Sequence, residues 1–227
     1  MELVFILVEP ARGENVGAAA RAMKTMGFSQ LRLVNPCDLS QEARWVAHES
    51  TELLDQAKHF DSLSAALQDV DFSIACSARR RLDHDDYLTP SECRQALSDK
   101  GSHVQRAAIV FGRESSGLTG AELALCDSAT SVPLATAQPS LNLAQAVMLY
   151  AWELSTLALQ APHSAALAEA TADNSNTTLP HIRAAMNQSL QRLGVGTEEN
   201  LHRWANEALA RFDERDLGML MTLLKRL

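Results

Sequence analysis

Four short segments hold the side chains best suited to handle a charged, hydroxyl-bearing substrate. They are Asn15 with Arg21, Ser77 with Arg79, Arg80 and Arg81, Arg113 with Glu114, and Ser140 with Asn142. Guanidinium forks bind phosphate and stabilise developing oxyanions, while carboxamides, hydroxyls and carboxylates fix donors and acceptors in place. The chemistry within reach is therefore positioning and charge stabilisation. No G-x-S-x-G elbow is present to present a serine for acyl transfer.

Each segment also has a plainer reading. Asn15 can cap a helix through its side-chain oxygen, and residues 17–20 (GAAA) make a smooth face that lets that helix approach a sheet or a substrate. The alternative is a small-residue packing face with a solvated Arg21. The triplet Arg79, Arg80 and Arg81 is the densest positive charge in the chain and so the first candidate for phosphate; alternatively Asp83, Asp85 and Asp86 neutralise it in a solvated loop. Gly112 and Gly117 bracket Arg113 and Glu114, allowing close backbone approach to a ligand or merely forming a turn with an exposed ion pair. Ser140 and Asn142 place two hydrogen-bonding groups at a helix start, where a serine can equally be an ordinary cap.

Most of these segments follow short aliphatic runs, at residues 3–8, 31–34, 72–76, 107–111 and 129–134. The runs are continuous rather than alternating, which predicts parallel strands covered by helices on both faces. In open α/β sheets ligands gather at the carboxyl ends of strands, where these segments fall. Thr89-Pro90 with Glu92, and Thr119 with Glu122, predict capping boxes. Residues 141–160 read as a helix apolar nearly all round, buried either as a core helix or partly against a second subunit. The Ala/Ser/Thr/Asn-rich stretch 161–178 reads as a linker. Beyond it, 179–227 contains no strand-like run and reads as two or three helices, including 198–212 and 216–227, too small for a core of their own. The expected division is a domain over 1–160, the linker, and a helical extension over 179–227 that docks on the rest.

Composition bounds the function. With 227 residues, 46% hydrophobic and 21% charged, the chain is an ordinary globular protein. Twenty Lys+Arg against 28 Asp+Glu, a formal net charge of −8, exclude binding nucleic acid through diffuse positive charge, so any RNA partner must meet a local basic patch. The longest apolar run, 146–152, is far too short for a membrane span, and Glu2 stands where a secretory signal would be positive; the expected location is cytoplasmic. Four separated cysteines form no C-x-x-C pair and seven histidines no H-x-x-x-H spacing, so no metal site is expected. Neither G-x-G-x-x-G nor G-x-x-x-x-G-K-[ST] occurs, which removes the common nucleotide folds and with them a nucleotide-dependent oxidoreductase.

In order, N-x-G-A-x-A-R-A-M-K-T-M-G (15–27), S-A-R-R-R (77–81), F-G-R-E-x-x-G-L (111–118) and P-S-L-N-L-A-x-A-V (139–147) resemble the SpoU branch of the SPOUT superfamily. The likeness is greatest to the bacterial TrmJ/LasT group of tRNA/rRNA ribose 2′-O-methyltransferases. The resemblance implies an α/β domain with a mostly parallel sheet, a carboxyl-terminal trefoil knot, S-adenosylmethionine as cofactor, tRNA or, second, rRNA as partner, and a homodimer with sites near the subunit interface. By motif, Asn15, Arg21, Glu114, Ser140 and Asn142 fall in the catalytic set, and Ser77, Ala78, Gly112, Val132, Pro133, Leu134, Ser140 and Leu141 around the cofactor. The implied phosphate contacts are Arg12, Lys24, Arg79, Arg80, Arg81 and Arg113, which would position RNA without reading its sequence. Arg21, a guanidinium and so a poor base, is expected to position and stabilise charge. Cys76 stands where relatives often carry threonine. The alternative is a protein of the same fold that binds RNA or cofactor without turnover.

Overall fold

The first run becomes strand β1 (Glu2–Val8), which is buried on both faces. Leu3, Phe5 and Leu7 join one apolar cluster, while Val4, Ile6 and Val8 join the other. A strand covered on both sides has no polar face, which is why its sequence does not alternate. The computed structural model describes residues 1–39, 41–77, 87–136, 140–160 and 177–226. The other strands are β2 (Gln30–Val34), β3 (Lys58–Phe60), β4 (Phe72–Cys76), β5 (Arg106–Phe111) and β6 (Ser128–Thr130). They form one six-stranded sheet of order β3-β2-β1-β5-β4-β6, every pairing parallel. All strands thus end at the same edge.

Two strands differ from the sequence reading. β3 was not anticipated, because Lys58-His59-Phe60 is a short edge strand that is mostly exposed and carries little apolar signal. The last strand stops at Thr130 rather than 134; Pro133 has no amide to continue a ladder. Thr130 is held from both sides, since Ser77 N–H donates to its carbonyl (3.0 Å), while Leu88 N–H donates to the Ala129 carbonyl (3.0 Å) and the Leu88 carbonyl accepts from Ser131 N–H (2.9 Å). The chain leaving β6 therefore runs between the two ends of the segment from Ser77 to Leu88. The expected knot turns in part on residues 78–86 and 137–139, which lie outside the described residues.

The larger apolar cluster lies between the sheet and helices α1 (Gly13–Thr25), α5 (Pro90–Asp99) and α7 (Leu143–Gln160); the short α2 (Gln41–Ala47) and α3 (Thr51–Asp55) flank α1. The smaller cluster takes in α4 (Leu63–Ala66) and α6 (Gly120–Ala124) on the other face. Both expected capping boxes are present, at Thr89/Glu92 and Thr119/Glu122. In α7, Val147, Tyr150, Ala151 and Leu154 are buried. The Tyr150 ring meets Phe111 edge-on (5.7 Å), and its hydroxyl pairs with Thr130 Oγ1 (2.9 Å), which fixes α7 on the sheet. Its opposite side exposes Met148, Leu149 and Trp152, the last 62% exposed.

The extension forms α8 (Leu179–Arg192), α9 (Asn200–Arg211) and α10 (Glu214–Leu224). Leu179, Ile182, Leu209 and Leu217 are fully buried in the larger cluster, so the extension completes the core of the main domain. Polar anchors fix it: Arg183 pairs with Asp127 (2.5 Å), Glu214 accepts from Ser102 N–H (3.0 Å), and Lys100 Nζ donates to the Ala210 and Phe212 carbonyls (2.6 Å each). Burial pulls Lys100 down to about 8, leaving it a charged donor at neutral pH. Each anchor on the main domain precedes or opens a strand, so the extension docks at the amino-terminal edge of the sheet, away from the edge where the strands end.

Gly17 sets the approach of α1 to α2. A Cβ there would meet the Ala43 carbonyl oxygen at 2.1 Å and the Ala47 nitrogen at 3.2 Å. The smooth face expected at 17–20 thus serves a helix–helix contact rather than a substrate. Gly17→Ala is expected to destabilise the chain by about 1–3 kcal/mol, read as a lower denaturant midpoint at unchanged slope; an unchanged midpoint would show that the two helices separate freely.

Candidate active site

Three segments far apart in sequence meet where the strands end. β1 leads into α1, β5 into the loop 112–119, and β6 toward α7. Asn15 Nδ2 donates to Glu114 Oε1 (2.8 Å), and Asn15 Oδ1 accepts from Asn142 Nδ2 (2.9 Å). The other Glu114 oxygen accepts from Ala11 N–H (2.9 Å). Asn142 in turn caps α7, its Oδ1 accepting from Ala144 N–H (2.8 Å) and its own N–H donating to Gln145 Oε1 (3.0 Å).

This corrects the expected caps. Helix α1 starts after Arg12, and no side chain at that position caps it. Asn15 sits inside the first turn, where its amide can reach across to Glu114. The α1 amino terminus instead receives a carboxylate from a distant loop, in keeping with the partial positive charge of a helix start. At α7 the capping residue is Asn142, not Ser140, which remains exposed.

Arg113 organises the same loop. Its guanidinium binds both oxygens of Glu122 (2.9 and 3.0 Å), reaches Glu9 (2.7 Å) and donates to the Gly117 carbonyl (3.3 Å); the side chain is 19% exposed. Gly117 has φ +69°, and a Cβ on Gly112 would strike the Gly117 and Leu118 backbone at 2.3 Å. Gly112 is thus required by closure of its own loop rather than by approach of a ligand. Glu9, at φ 46°, takes the left-handed turn that brings its carboxylate to Arg113.

Beside the Asn15–Glu114–Asn142 network lies a cleft of about 170 Å³, bordered by Glu114 itself. Ser77, Gly112, Val132, Leu134, Ser140 and Leu141, six of the eight residues that the resemblance sets around the cofactor, line it. Pro133 is exposed between two lining residues, and Ala78 lies outside the described residues. Cys76, Phe111, Arg113, Ser115, Ser116, Gly117, Leu143 and Ala146 also line the cleft, and the resemblance does not set them around the cofactor. Phe111 and Leu143 read as core from the sequence; only their position at a strand end and a helix start would have drawn attention to them. The Cys76 thiol is pushed up to about 12 by burial and is not a nucleophile. The walls combine apolar side chains (Phe111, Val132, Leu134, Leu141, Leu143, Ala146) with serine hydroxyls, the Arg113 guanidinium and the Glu114 carboxylate, a mixture that accommodates a flat heteroaromatic ring carrying polar groups.

The expected cations fare differently. Lys24 is drawn to Glu52 and the Glu49 carbonyl, and Arg113 is held as described, so neither is free for phosphate in this arrangement. Arg12 is exposed at the start of α1, and Arg79, Arg80 and Arg81 lie outside the described residues. Arg21 is exposed on α1 and does not line the cleft; among the described residues no group accepts from its guanidinium. The structure thus joins Asn15, Glu114 and Asn142, sets Ser140 at the cleft, and leaves Arg21 apart within one chain. Among the described residues no cluster of three or more potential metal ligands occurs, and no helix is long and apolar enough to cross a membrane.

The model of the SpoU rRNA Methylase family matches residues 2–152, and that of the tRNA/rRNA methyltransferase LasT C-terminal domain matches residues 177–227. A protein of Escherichia coli (strain K12) named "Uncharacterized tRNA/rRNA methyltransferase LasT" is 47% identical over 225 residues, spanning 99% of this chain and 96% of that one. The Methanocaldococcus jannaschii tRNA (cytidine-2′-O-)-methyltransferase TrmJ is 37% identical over 153 residues, 66% of each chain. The crystal structure of TrmJ from Z. mobilis ZM4 superposes with a TM-score of 0.64 at 27% identity, covering 100% of this chain and 99% of that one.

Burial pushes the Glu114 carboxyl up, but the Ala11 amide, the Asn15 carboxamide and the Arg12 backbone outweigh it and hold the group below its ordinary 4.5. A carboxyl depressed in the folded chain stabilises fully above the unfolded value and loses that contribution as pH falls through the folded one. Glu114→Gln is therefore expected to cost roughly 1 kcal/mol at neutral pH, with the deficit shrinking as pH drops below 4.5. Denaturation at both pH values reads this; a deficit that persists undiminished in acid would mean the carboxylate charge is not what holds the network.

Proposed function

The chain belongs to the SpoU rRNA Methylase family, and from that premise we propose that it is an S-adenosylmethionine-dependent ribose 2′-O-methyltransferase acting on tRNA or, second, rRNA. The observation that carries this reading is the hydrogen-bonded set Asn15, Glu114 and Asn142 on the border of a ring-sized cleft. When bound, S-adenosylmethionine supplies a methyl group already activated by a sulfonium. The chain's own task is then to align a ribose oxygen and to stabilise the charge that develops on it. Ser77, Gly112, Val132, Leu134, Ser140 and Leu141 would hold the cofactor in the cleft, with Ala78 and Pro133 adjoining. Glu114 keeps Asn15 and Asn142 in fixed orientations beside it. Arg21, through its guanidinium fork, holds the substrate phosphate and the incipient negative oxygen. A 2′-hydroxyl acceptor restricts the substrate to RNA, and an RNA substrate is in keeping with the cytoplasmic location expected from the sequence.

The catalytic unit in this reading spans 1–160, threaded between Ser77 and Leu88, with 179–227 as an extension that completes its core. The unit is a homodimer. The exposed Met148, Leu149 and Trp152 form an apolar strip on α7, continuous with Gln145 and Asn142 at the site. A second copy on that strip buries it and closes the site, which accounts for Arg21 standing apart within a single chain.

Arg21→Ala is expected to lower methyl transfer to total tRNA by at least about a hundredfold with cofactor affinity unchanged, read by a labelled-methyl assay beside calorimetric titration. Undiminished turnover would remove Arg21 from the mechanism, and cofactor binding without transfer by the wild-type chain would favour a binding protein. Trp152→Glu is expected to yield a monomer on sedimentation with little activity; a dimer of unchanged mass would place the interface elsewhere.

A further inference from the structure

A second cleft, of about 500 Å³, opens beside the first at the carboxyl ends of β2 and β3, between residues 35–39 and 59–61. It is built rather than incidental. Asn35, at φ 42°, turns the chain out of β2, and its N–H and Nδ2 donate to the Phe60 and Asp61 carbonyls (3.0 Å each), locking the two rims together. Beneath Phe60 the buried Arg32, held by both oxygens of Asp69 (2.5 and 3.0 Å), sets its guanidinium 5.6 Å from the ring centre and fixes the ring's position.

The cleft adjoins the Glu114 network. Cys37 lines it, and Cys37 N–H donates to the Pro10 carbonyl (3.1 Å), one residue from the Ala11 amide that binds Glu114. Burial and then the Glu114 carboxylate push the Cys37 thiol up, consistent with that proximity.

Its chemistry excludes phosphate. Asp38 and Asp61 line it, and no lysine or arginine does so among the described residues. The described residues contain no metal-ligating cluster there either. What remains is an exposed imidazole at His59, a fixed aromatic ring at Phe60, and carboxylates able to accept from N–H groups. That is the equipment which reads an unstacked base, by stacking on its face and hydrogen-bonding to its edge.

Resting on the methyltransferase reading, we propose that this cleft is a nucleobase subsite. Asp38 and Asp61 accept hydrogen bonds there from amino or imino groups of a base held next to the reacting ribose. The base belongs either to the methylated nucleotide or to its neighbour, and the two sources differ in outcome.

The test uses the full chain with Asp38→Asn, Asp61→Asn and the double variant, all at exposed positions, acting on total tRNA with S-adenosylmethionine. KM and kcat are measured, and the 2′-O-methylated nucleosides are separated by mass spectrometry. Replacing a carboxylate acceptor is expected to raise KM for RNA about tenfold, the worth of one hydrogen bond to a charged group, with cofactor affinity unchanged. The sign is diagnostic, because removing negative charge from a surface that only repels RNA lowers KM. A raised KM with a changed ratio of methylated cytidine, adenosine, guanosine and uridine assigns the base of the reacting nucleotide; a raised KM at constant ratio assigns its neighbour. Unchanged or lowered KM with an unchanged ratio overturns the subsite while leaving the methyltransferase reading intact. Absence of any 2′-O-methylnucleoside from the wild-type chain overturns that reading and the subsite together.

Discussion

The site depends on one carboxylate. Glu114 reaches from the loop after β5 to the start of α1, and there it binds Ala11 and Asn15, which passes the connection on to Asn142 at the start of α7. Each element could form without the others, but none would fix where the other two begin. A carboxylate accepts well at a helix start because the free amides there carry partial positive charge. Glu114 is fixed in turn by a loop that Arg113 closes through Glu122, Glu9 and Gly117. Charged groups one would assign to a substrate are thus used first to hold the protein in shape.

The parallel sheet separates two kinds of surface. Every strand ends at the edge where Glu114 and both clefts lie. The extension occupies the opposite edge, through Lys100, Ser102 and Asp127. The extension can therefore complete the apolar core without narrowing the cleft beside Glu114.

A net charge of −8 also acquires a local meaning. Lys24 and Arg113 are internally neutralised, and the carboxylates of the second cleft repel phosphate. In the proposed reading, affinity for RNA falls to a few exposed arginines, Arg12 and Arg21 among the described residues, while the acidic cleft discriminates among bases. Backbone contacts position and base contacts specify, and here the two tasks fall to groups of opposite charge.

The residues alone determined the parallel α/β class, because continuous runs such as 72–76 and 107–111 can be stable only when covered on both faces. They determined both threonine capping boxes, which are local hydrogen-bond patterns with fixed spacing. Six of the eight residues that the family resemblance sets around the cofactor meet at one cleft. Tertiary structure decided what depends on distant partners. Asn15 looked like a helix cap until Glu114, 99 residues away, drew its amide. Gly17 looked like a substrate face until Ala43 was found against it, and Arg113 like a phosphate ligand until Glu122 and Glu9 closed on it. Capping and strand burial are legible because they repeat at fixed intervals along the chain. Which carboxylate meets which amide is set by how the strands are ordered in the sheet, and that order leaves no periodic mark in the sequence.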